Sequence, residues 1–194
     1  ISIMQPYFFP YIGYFSLIKA TDKFISFDTA QYIRHGWINR NRILKHGGGW
    51  QYIVVPLVKH SRNSRICDVK IANNQSWTSL ILKQIEHYKK IAPFYKDVYD
   101  LMKCCLERQF TSIADLNIYT LEKICSYLNI QFDYEVFSEM NISIDEVEHP
   151  GQWALNISKK VCATEYINPI GGSDIFNNSE FIKEGIELKY LKQK

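Results

Sequence analysis

The sequence lacks several patterns that would assign it to a familiar class of protein. No apolar run approaches the roughly 20 residues that span a bilayer. The 5 cysteines are odd in number and show no paired short spacing, which argues against a disulfide framework or a zinc site. Neither GxxxxGK[ST] nor GxGxxG occurs, so the triple glycine Gly47–Gly49 is interpreted as a flexible turn. We therefore expect a cytoplasmic protein with reduced thiols and without a metal or cofactor.

Acidic residues are also missing from one long stretch, because no carboxylate occurs between Asp28 and Asp68. Over the whole chain the formal net charge is only +3, so a local excess of cations in this stretch is not a property of a generally basic protein. Such an excess favours binding of an anion. The cationic segment holds Arg34, Arg40, Arg42, Lys45, Lys59, Arg62 and Arg65, together with His35, His46 and His60.

Length and hydrophobic patterning predict the fold class. A chain of 194 residues fits one domain, and its 46% hydrophobic content allows a substantial core. Helical periodicity dominates residues 75–129, whereas residues 130–136, 165–168 and 186–190 have strand character. We predict a single α/β domain over residues 1–194, with a mostly parallel, Rossmann-like sheet flanked by helices. Residues 75–129 are predicted to form an all-helical insertion or subdomain.

The first thirty residues read as a β-loop-α-β unit. Residues 1–4 and 23–28 are predicted strands, and residues 11–19 a short helix between them. Two prolines, Pro6 and Pro10, interrupt the chain after the first strand. Because the strands of such a unit run parallel, the loop 5–10 and Asp28 should both emerge at the carboxyl edge of the sheet, where ligands bind. Further along, residues 50–55 and 66–71 are predicted strands.

Four runs of residues carry a resemblance to a known family. They are MQPYFFPYIGYF at 4–15, FDTAQYI at 27–33, GWINRNRI at 36–43 and YINPIGG at 166–172. In these motifs the chain resembles the WbqC-like family. The resemblance implies a bacterial cytoplasmic protein of O-antigen and other surface-polysaccharide gene clusters, including lipopolysaccharide biosynthesis. It further implies a transferase that attaches an aminoacyl group, such as glycyl, to a nucleotide-linked amino sugar. The segment His149–Trp153 departs from the expected pattern, which bears on acceptor specificity.

The residues that match the family motifs are carried over as a proposed site. The resemblance implies substrate binding by Gln5, Tyr7, Gln31, Tyr32, Trp37, Arg40, Asn41, Arg42, Asn168 and Gly171. It also places Asp28 and Asn39 in this site, and these two residues are the predicted catalytic residues together with His35, which adjoins the third motif without belonging to it. Binding partners would be the nucleotide sugar and an acyl or aminoacyl carrier, and no nucleic acid is expected.

The chemistry of acyl transfer suggests a role for each of these residues. Arg40 and Arg42 share a face if their segment is a strand and diverge if it is a helix. One of them is expected to hold a phosphate, with Asn39 and Asn41 completing the oxygen contacts. Asp28 is a candidate base at the predicted sheet edge, although neighbouring cations would lower its pKa and so weaken it as a base. An alternative is that Asp28 only caps the following turn.

Histidines and ring-bearing residues leave further alternatives open. His35 is the preferred imidazole base because it adjoins Trp37, while a loop histidine is more often only solvated. Phe8, Phe9 and Phe15 are expected in the core, whereas the hydroxyls of tyrosines require partners. Cys105 and Cys125 lie on apolar helix stripes, which argues against a thiol nucleophile.

Two other functions remain as alternatives at this point. A nucleotidyltransferase-like enzyme fits the N-terminal β-loop-α-β pattern, but the histidine pair such enzymes carry on the first loop and helix is missing. A non-enzymatic protein that binds single-stranded nucleic acid fits cations interleaved with aromatic residues. We expect instead that the aromatic loop 5–10 and the arginine segment around residue 40 converge on one compact anion.

Overall fold

The computed structural model describes residues 1–74 and 76–192, and these form a mixed α/β fold. The strands are β1 (Ser2–Met4), β2 (Phe24–Ser26), β3 (Arg40–Leu44), β4 (Trp50–Val54), β5 (Tyr134–Val136), β6 (Glu165–Pro169) and β7 (Glu187–Leu191). The α-helices are α1 (Ile12–Lys19), α2 (Trp77–Ile85), α3 (Tyr95–Glu107), α4 (Ile113–Tyr127), α5 (Gly151–Lys160) and α6 (Asn178–Lys183). Short 3₁₀ helices cover Ile66–Asp68, Glu86–Lys90, Phe137–Glu139 and Ile170–Ile175.

Contacts between Cα atoms divide the chain into two compact units. We call the first the sheet unit; it comprises Ile1–Met4, Tyr11–Phe27 and the described residues from Ile130 onward. The second, the hairpin unit, comprises Gln5–Pro10 and Asp28–Asn129. The prediction of one domain over 1–194 stays a prediction, and Gln75, the first residue of the predicted helical insertion, lies outside the described residues, as do 193 and 194.

The sheet unit contains the predicted β-loop-α-β motif. β1 and β2 pair in parallel, with Ile3 opposite Ile25, and α1 connects them. β5 adds to β2 in parallel, and β6 and β7 form a second parallel pair. A separate apolar core lies under these strands, formed by residues such as Ile25, Tyr166 and Phe181. The sheets are small and are assigned separately, so the Rossmann-like part of the prediction is not confirmed.

The hairpin unit is built from an antiparallel hairpin and three helices. β3 and β4 pair with Arg42 opposite Tyr52 and Leu44 opposite Trp50. α2, α3 and α4 pack side by side, and α4 begins where the Ser112 hydroxyl accepts hydrogen bonds from the amides of Ala114 and Asp115. These helices fall where the periodicity of residues 75–129 predicts them, and their apolar faces join Ile53 and Val55 of the hairpin in one core.

One predicted strand is wrong. Residues 66–71 form a 3₁₀ helix at Ile66–Asp68, followed by single β-bridges at Lys70 and Ile71. Ile66 and Val69 are both fully buried, three residues apart, so one face of a tight turn takes the apolar side chains. The β-branched residues that suggested a strand are therefore buried by a turn instead.

Among the described residues, no helix combines the length and the apolar character that crossing a bilayer requires.

Asn117, a residue of α4, connects two segments of the hairpin unit through side-chain hydrogen bonds. Its side chain is fully buried, and its Nδ2 donates to the carbonyls of Pro6 and Ile38, each at 2.8 Å. The two acceptors belong to chain segments that carry the aromatic loop and the arginine motif. One carboxamide therefore fixes both segments against the same helix.

We predict that Asn117→Ala lowers the free energy of unfolding by about 2 kcal/mol. The substitution leaves two buried carbonyls without a donor, at a cost that removal of the unpartnered Oδ1 partly offsets. Urea unfolding measures the change. Asn156→Ala is the matched control, because Asn156 is half-buried on α5 and its side chain makes no hydrogen bond to a described residue. Equal effects of the two substitutions would contradict the fastening role.

Candidate anion-binding site

The aromatic loop 5–10 and the arginine segment meet in the hairpin unit. The amide of Phe8 donates to the carbonyl of Trp37 at 3.0 Å. In return, Nδ2 of Asn41 donates to the carbonyls of Phe8 (3.1 Å) and Phe9 (2.6 Å). Phe9 has φ of 44°, a left-handed conformation that a non-glycine residue rarely adopts without such restraints. The structure thus brings together two loops that are distant in sequence.

Arg40 and Arg42 lie on one face of β3, because the segment is extended. On that face the Arg40 guanidinium stacks over the ring of Tyr52, with its Cζ 4.2 Å from the ring centroid. The Arg42 guanidinium lies over Trp50 at 4.3 Å and over Trp37 at 5.3 Å. Such cation–π contacts hold the charge in place without neutralising it.

Backbone carbonyls, rather than carboxylates, orient Arg40. Its Nε donates to the carbonyl of Gly36 at 3.2 Å, and its Nη2 donates to the carbonyl of His35. His35 adopts φ of 65°, and its imidazole Nδ1 lies 3.5 Å from Nη1 of Arg40. Within the described part of the chain, no carboxylate lies within 4.0 Å of either the Arg40 or the Arg42 guanidinium. Both charges are therefore available to an external anion.

A cleft of about 380 Å³ lies beside Arg40, which we call the arginine cleft. It carries three permanently charged cationic side chains and two imidazoles, and none of its lining residues is acidic. The field within it favours an anion. The lining residues are Tyr32, Arg34, His35, Asn39, Arg40, Val54, Leu57, Val58, Lys59 and His60.

Tyr32 and Asn39 form a hydrogen-bonded pair in the wall of this cleft. The Tyr32 hydroxyl donates to Oδ1 of Asn39 at 2.8 Å, and Nδ2 of Asn39 donates to the carbonyl of Val55 at 2.9 Å. Burial raises the pKa of Tyr32, while the charges of Arg40 and Arg34 act in the opposite direction. The phenol is therefore neutral at physiological pH. Asn39 is a predicted catalytic residue; here its carboxamide holds Tyr32 and the backbone of Val55 together in the wall of the cleft.

His60 also lines the cleft, although His35 is the histidine that the sequence favours as a base. Its Nδ1 lies 2.8 Å from the carbonyl of Val58, and since a carbonyl only accepts, Nδ1 carries the hydrogen. Its Nε2 is buried and has no hydrogen-bond partner among the described residues. The ring packs edge-on against Tyr32, with centroids 4.8 Å apart. The position of His60 inside the carboxylate-free stretch was the signal that pointed to it, as it did for Arg34 and Lys59.

Several predicted residues lie in the hairpin unit but outside the arginine cleft. Asp28 is 1% exposed, its carbonyl accepts from the amide of Cys67 at 2.9 Å, and it does not line the cleft. Its charge helps to raise the pKa of the Cys67 thiol, after the larger effect of burial. Gln31 donates to the carbonyl of Arg62 at 2.8 Å and pairs with Arg65 in a single β-bridge.

The remaining predicted contacts divide between the two units. Gln5 and Tyr7 belong to the aromatic loop, and Tyr7 packs against the hairpin-unit core. Asn168 and Gly171 belong to the sheet unit, and neither is among the residues that line the arginine cleft. There the buried Asn168 accepts from the Tyr166 hydroxyl at 3.0 Å and donates to the carbonyl of Pro169 at 3.0 Å.

Comparison with known proteins assigns the chain to a family. Residues 5–194 match the WbqC-like protein family. The chain belongs to the WbqC-like protein family. A relative is the uncharacterized protein Rv1507c of Mycobacterium tuberculosis, which is 30% identical over 175 residues, covering 87% of this chain and 71% of that protein. No solved structure matches the chain. The family membership agrees with the motifs of the N-terminal half and with the motif at 166–172.

Thiol chemistry has no place in this site. None of the cysteines lines the arginine cleft. Burial raises the pKa of Cys105 to about 12 and that of Cys125 to about 11, so both remain protonated at neutral pH. Cys104 and Cys162 are exposed and Cys67 is half-buried.

We predict three classes of thiol reactivity at pH 8 with Ellman's reagent. Cys104 and Cys162 should react fast and Cys67 more slowly, since burial raises its pKa. Cys105 and Cys125 should react only after denaturation. Cys104→Ser should remove one fast equivalent and leave the slow class unchanged. Fast reaction of all the thiols in the folded protein would show that the helical core is not closed around them.

Proposed function

We propose that this protein binds a nucleotide-linked amino sugar through its diphosphate and transfers an aminoacyl group, such as glycyl, to the sugar amine. The reaction would serve lipopolysaccharide or other surface-polysaccharide biosynthesis in the cytoplasm. The observation that carries the proposal is the arginine cleft, whose cations face no acidic lining residue. Membership in the WbqC-like family supports the reaction class.

Phosphate recognition uses the fixed and the mobile cations of the cleft differently. Arg40 is held by the carbonyls of His35 and Gly36, so little side-chain entropy is lost when it meets a phosphate oxygen. Arg34 and Lys59 are exposed and approach the ligand from the rim. Together these three charges match a diphosphate better than a single carboxylate.

The transfer step is an acyl substitution at an activated aminoacyl ester or thioester. The sugar amine attacks the carbonyl carbon, a C–N bond forms, and the C–O or C–S bond to the carrier breaks. The amine loses a proton to a base, and the leaving oxygen or sulfur gains one. We assign the base to the exposed imidazole of His35, which lines the cleft next to Arg40, in preference to the buried Asp28. The neutral Tyr32 and the carboxamide of Asn39 position the wall against which the sugar lies.

We also infer that the strands of the sheet unit form one Rossmann-like sheet. The nitrogen of Ile1 donates to the carbonyl of Glu165 at 2.7 Å, and the amide of Ile167 donates to the carbonyl of Ile1 at 2.9 Å. These bonds support a parallel alignment of β1 beside β6. The resulting order, β5-β2-β1-β6-β7, has the two-sided progression from a central first strand that characterises dinucleotide-binding folds.

Neither alternative function is favoured. The stretch that would hold the histidine pair of a nucleotidyltransferase, residues 5–19, contains no histidine. A binder of single-stranded nucleic acid follows the backbone along a groove, whereas the arginine cleft is compact, at about 380 Å³.

We predict that Arg40→Ala raises the Kd for a UDP-linked amino sugar about tenfold or more, because a charge-assisted contact to phosphate is lost. Thermal shift and isothermal titration with UDP-glucosamine, UDP-glucose and UDP measure the effect. Lys59→Ala, an exposed change that spares the fold, should also weaken binding. Arg108→Ala is the matched control, since Arg108 likewise stacks on aromatic rings, those of Phe110 and Tyr119, but does not line the cleft.

Turnover provides the second measurement. Wild-type protein supplied with a glycyl thioester or glycyl-tRNA and a nucleotide-linked amino sugar should produce a sugar heavier by one glycyl group, detected by mass spectrometry. His35→Ala should slow this step with little change in the Kd of the sugar nucleotide. The proposal is wrong if no nucleotide sugar shifts the melting temperature and Arg40→Ala leaves the cellular polysaccharide unchanged.

A further inference from the structure

A larger cleft lies at the opposite end of the same hairpin, around the turn between β3 and β4. Its volume is about 630 Å³, and it shares no lining residue with the arginine cleft. We call it the turn cleft. We propose that the turn cleft is a second ligand site, which takes an organic phosphate whose phosphate group meets lysines and whose body lies on an apolar floor. The inference does not depend on the proposed transferase activity.

The charge of the turn cleft favours a phosphate. Lys45 of the turn and Lys89 and Lys90 of the adjacent 3₁₀ helix are exposed around it, and Glu86 is the one acidic lining residue. Within the described residues, none of these three lysines forms an ion pair with a carboxylate. Three cations against one carboxylate leave a positive surplus at the rim.

Two imidazole rings form part of the wall. The rings of His46 and His87 lie edge to face with centroids 6.2 Å apart. Nδ1 of His87 lies 3.0 Å from the carbonyl of Gln84 and therefore carries the hydrogen. Its Nε2 is buried and has no partner among the described residues. Polar atoms that are enclosed and unpaired are rare in folded proteins, and here one occurs in a residue that lines the cleft.

The floor and the turn suit the body of an organic ligand. Leu44 is 56% exposed and Ile91 66% exposed, so two aliphatic side chains face solvent within the cleft. Gly47, Gly48 and Gly49 all have positive φ, and a Cβ built on any of them meets no atom within 4 Å. The turn therefore leaves open space over bare backbone, which a ring or an extended chain can approach.

Hydrogen bonds connect the two walls of the cleft. The Tyr88 hydroxyl accepts from the amide of Leu44 at 2.7 Å, which fastens the 3₁₀ helix to the end of β3. Nε2 of Gln84 donates to the carbonyl of Tyr52 at 3.1 Å and fastens α2 to β4. The 3₁₀ helix that carries the lysines is thus held beside the glycine turn before any ligand arrives, so its backbone loses no further freedom on binding.

Isothermal titration with four probes tests the inference on the full chain. The probes are adenosine 5′-monophosphate, 4′-phosphopantetheine, inorganic phosphate and adenosine. At least one of the two organic phosphates should bind about tenfold more tightly than both inorganic phosphate and adenosine. The double variant Lys89→Ala/Lys90→Ala should weaken that binding about tenfold or more, and added salt should weaken it further.

Control variants distinguish binding at the turn cleft from binding at the arginine cleft and from non-specific attraction to positive charge. Lys83→Ala/Lys96→Ala removes two exposed lysines that do not line the turn cleft and should leave the affinity within twofold. Arg40→Ala should also leave it unchanged, so this test and the test of the proposed function fail independently. In imidazole NMR spectra, the signals of His46 and His87 should shift on titration. The inference is overturned if neither organic phosphate binds more tightly than inorganic phosphate, or if the double variant binds both as well as wild type.

Discussion

The hairpin unit depends on carboxamide groups that satisfy the backbone of the aromatic loop. Two prolines limit the hydrogen bonds that residues 5–10 can make among themselves, yet Phe8 is fully buried and its carbonyl must find a donor. Asn41 serves the carbonyls of Phe8 and Phe9, and Asn117 serves that of Pro6. Without these donors the loop would keep its bond to Trp37 and the burial of Phe8, but the carbonyls of Pro6, Phe8 and Phe9 would lose the side-chain donors that pair with them.

Successive side chains of β3 point to opposite faces of the strand, so the strand can both anchor the aromatic loop and present arginines. Asn41 points to the aromatic loop, while Arg40 and Arg42 project from the other face onto Tyr52 and Trp50. A shift of one residue in the pairing of β3 with β4 would exchange these faces. It would bury two guanidiniums and expose the amide that holds the loop. Anion recognition and loop anchoring are therefore set by the same register.

Sequence reasoning succeeded where local patterns decide the structure. The β-loop-α-β start, the three helices between residues 77 and 127 and the cationic segment could all be read from periodicity and charge. It failed where partners are distant. Arg-Asn-Arg has little intrinsic strand preference, and only pairing with Trp50–Val54 makes residues 40–44 a strand. A carboxamide can serve a ligand or a carbonyl, and nothing local reveals that Asn39 and Asn41 serve carbonyls. The hydrogen position of His60 likewise depends on Val58.

The order of segments along the chain has a consequence for synthesis on the ribosome. The hydrogen bond from Asn117 to Pro6 joins residues 111 positions apart. Residues 5–10 are translated shortly before their partners Trp37 and Asn41, but Asn117 emerges only when synthesis reaches the start of α4. Until then the phenylalanines of the nascent loop remain open to chaperones, and closure of this long-range contact is expected to be a late event in folding.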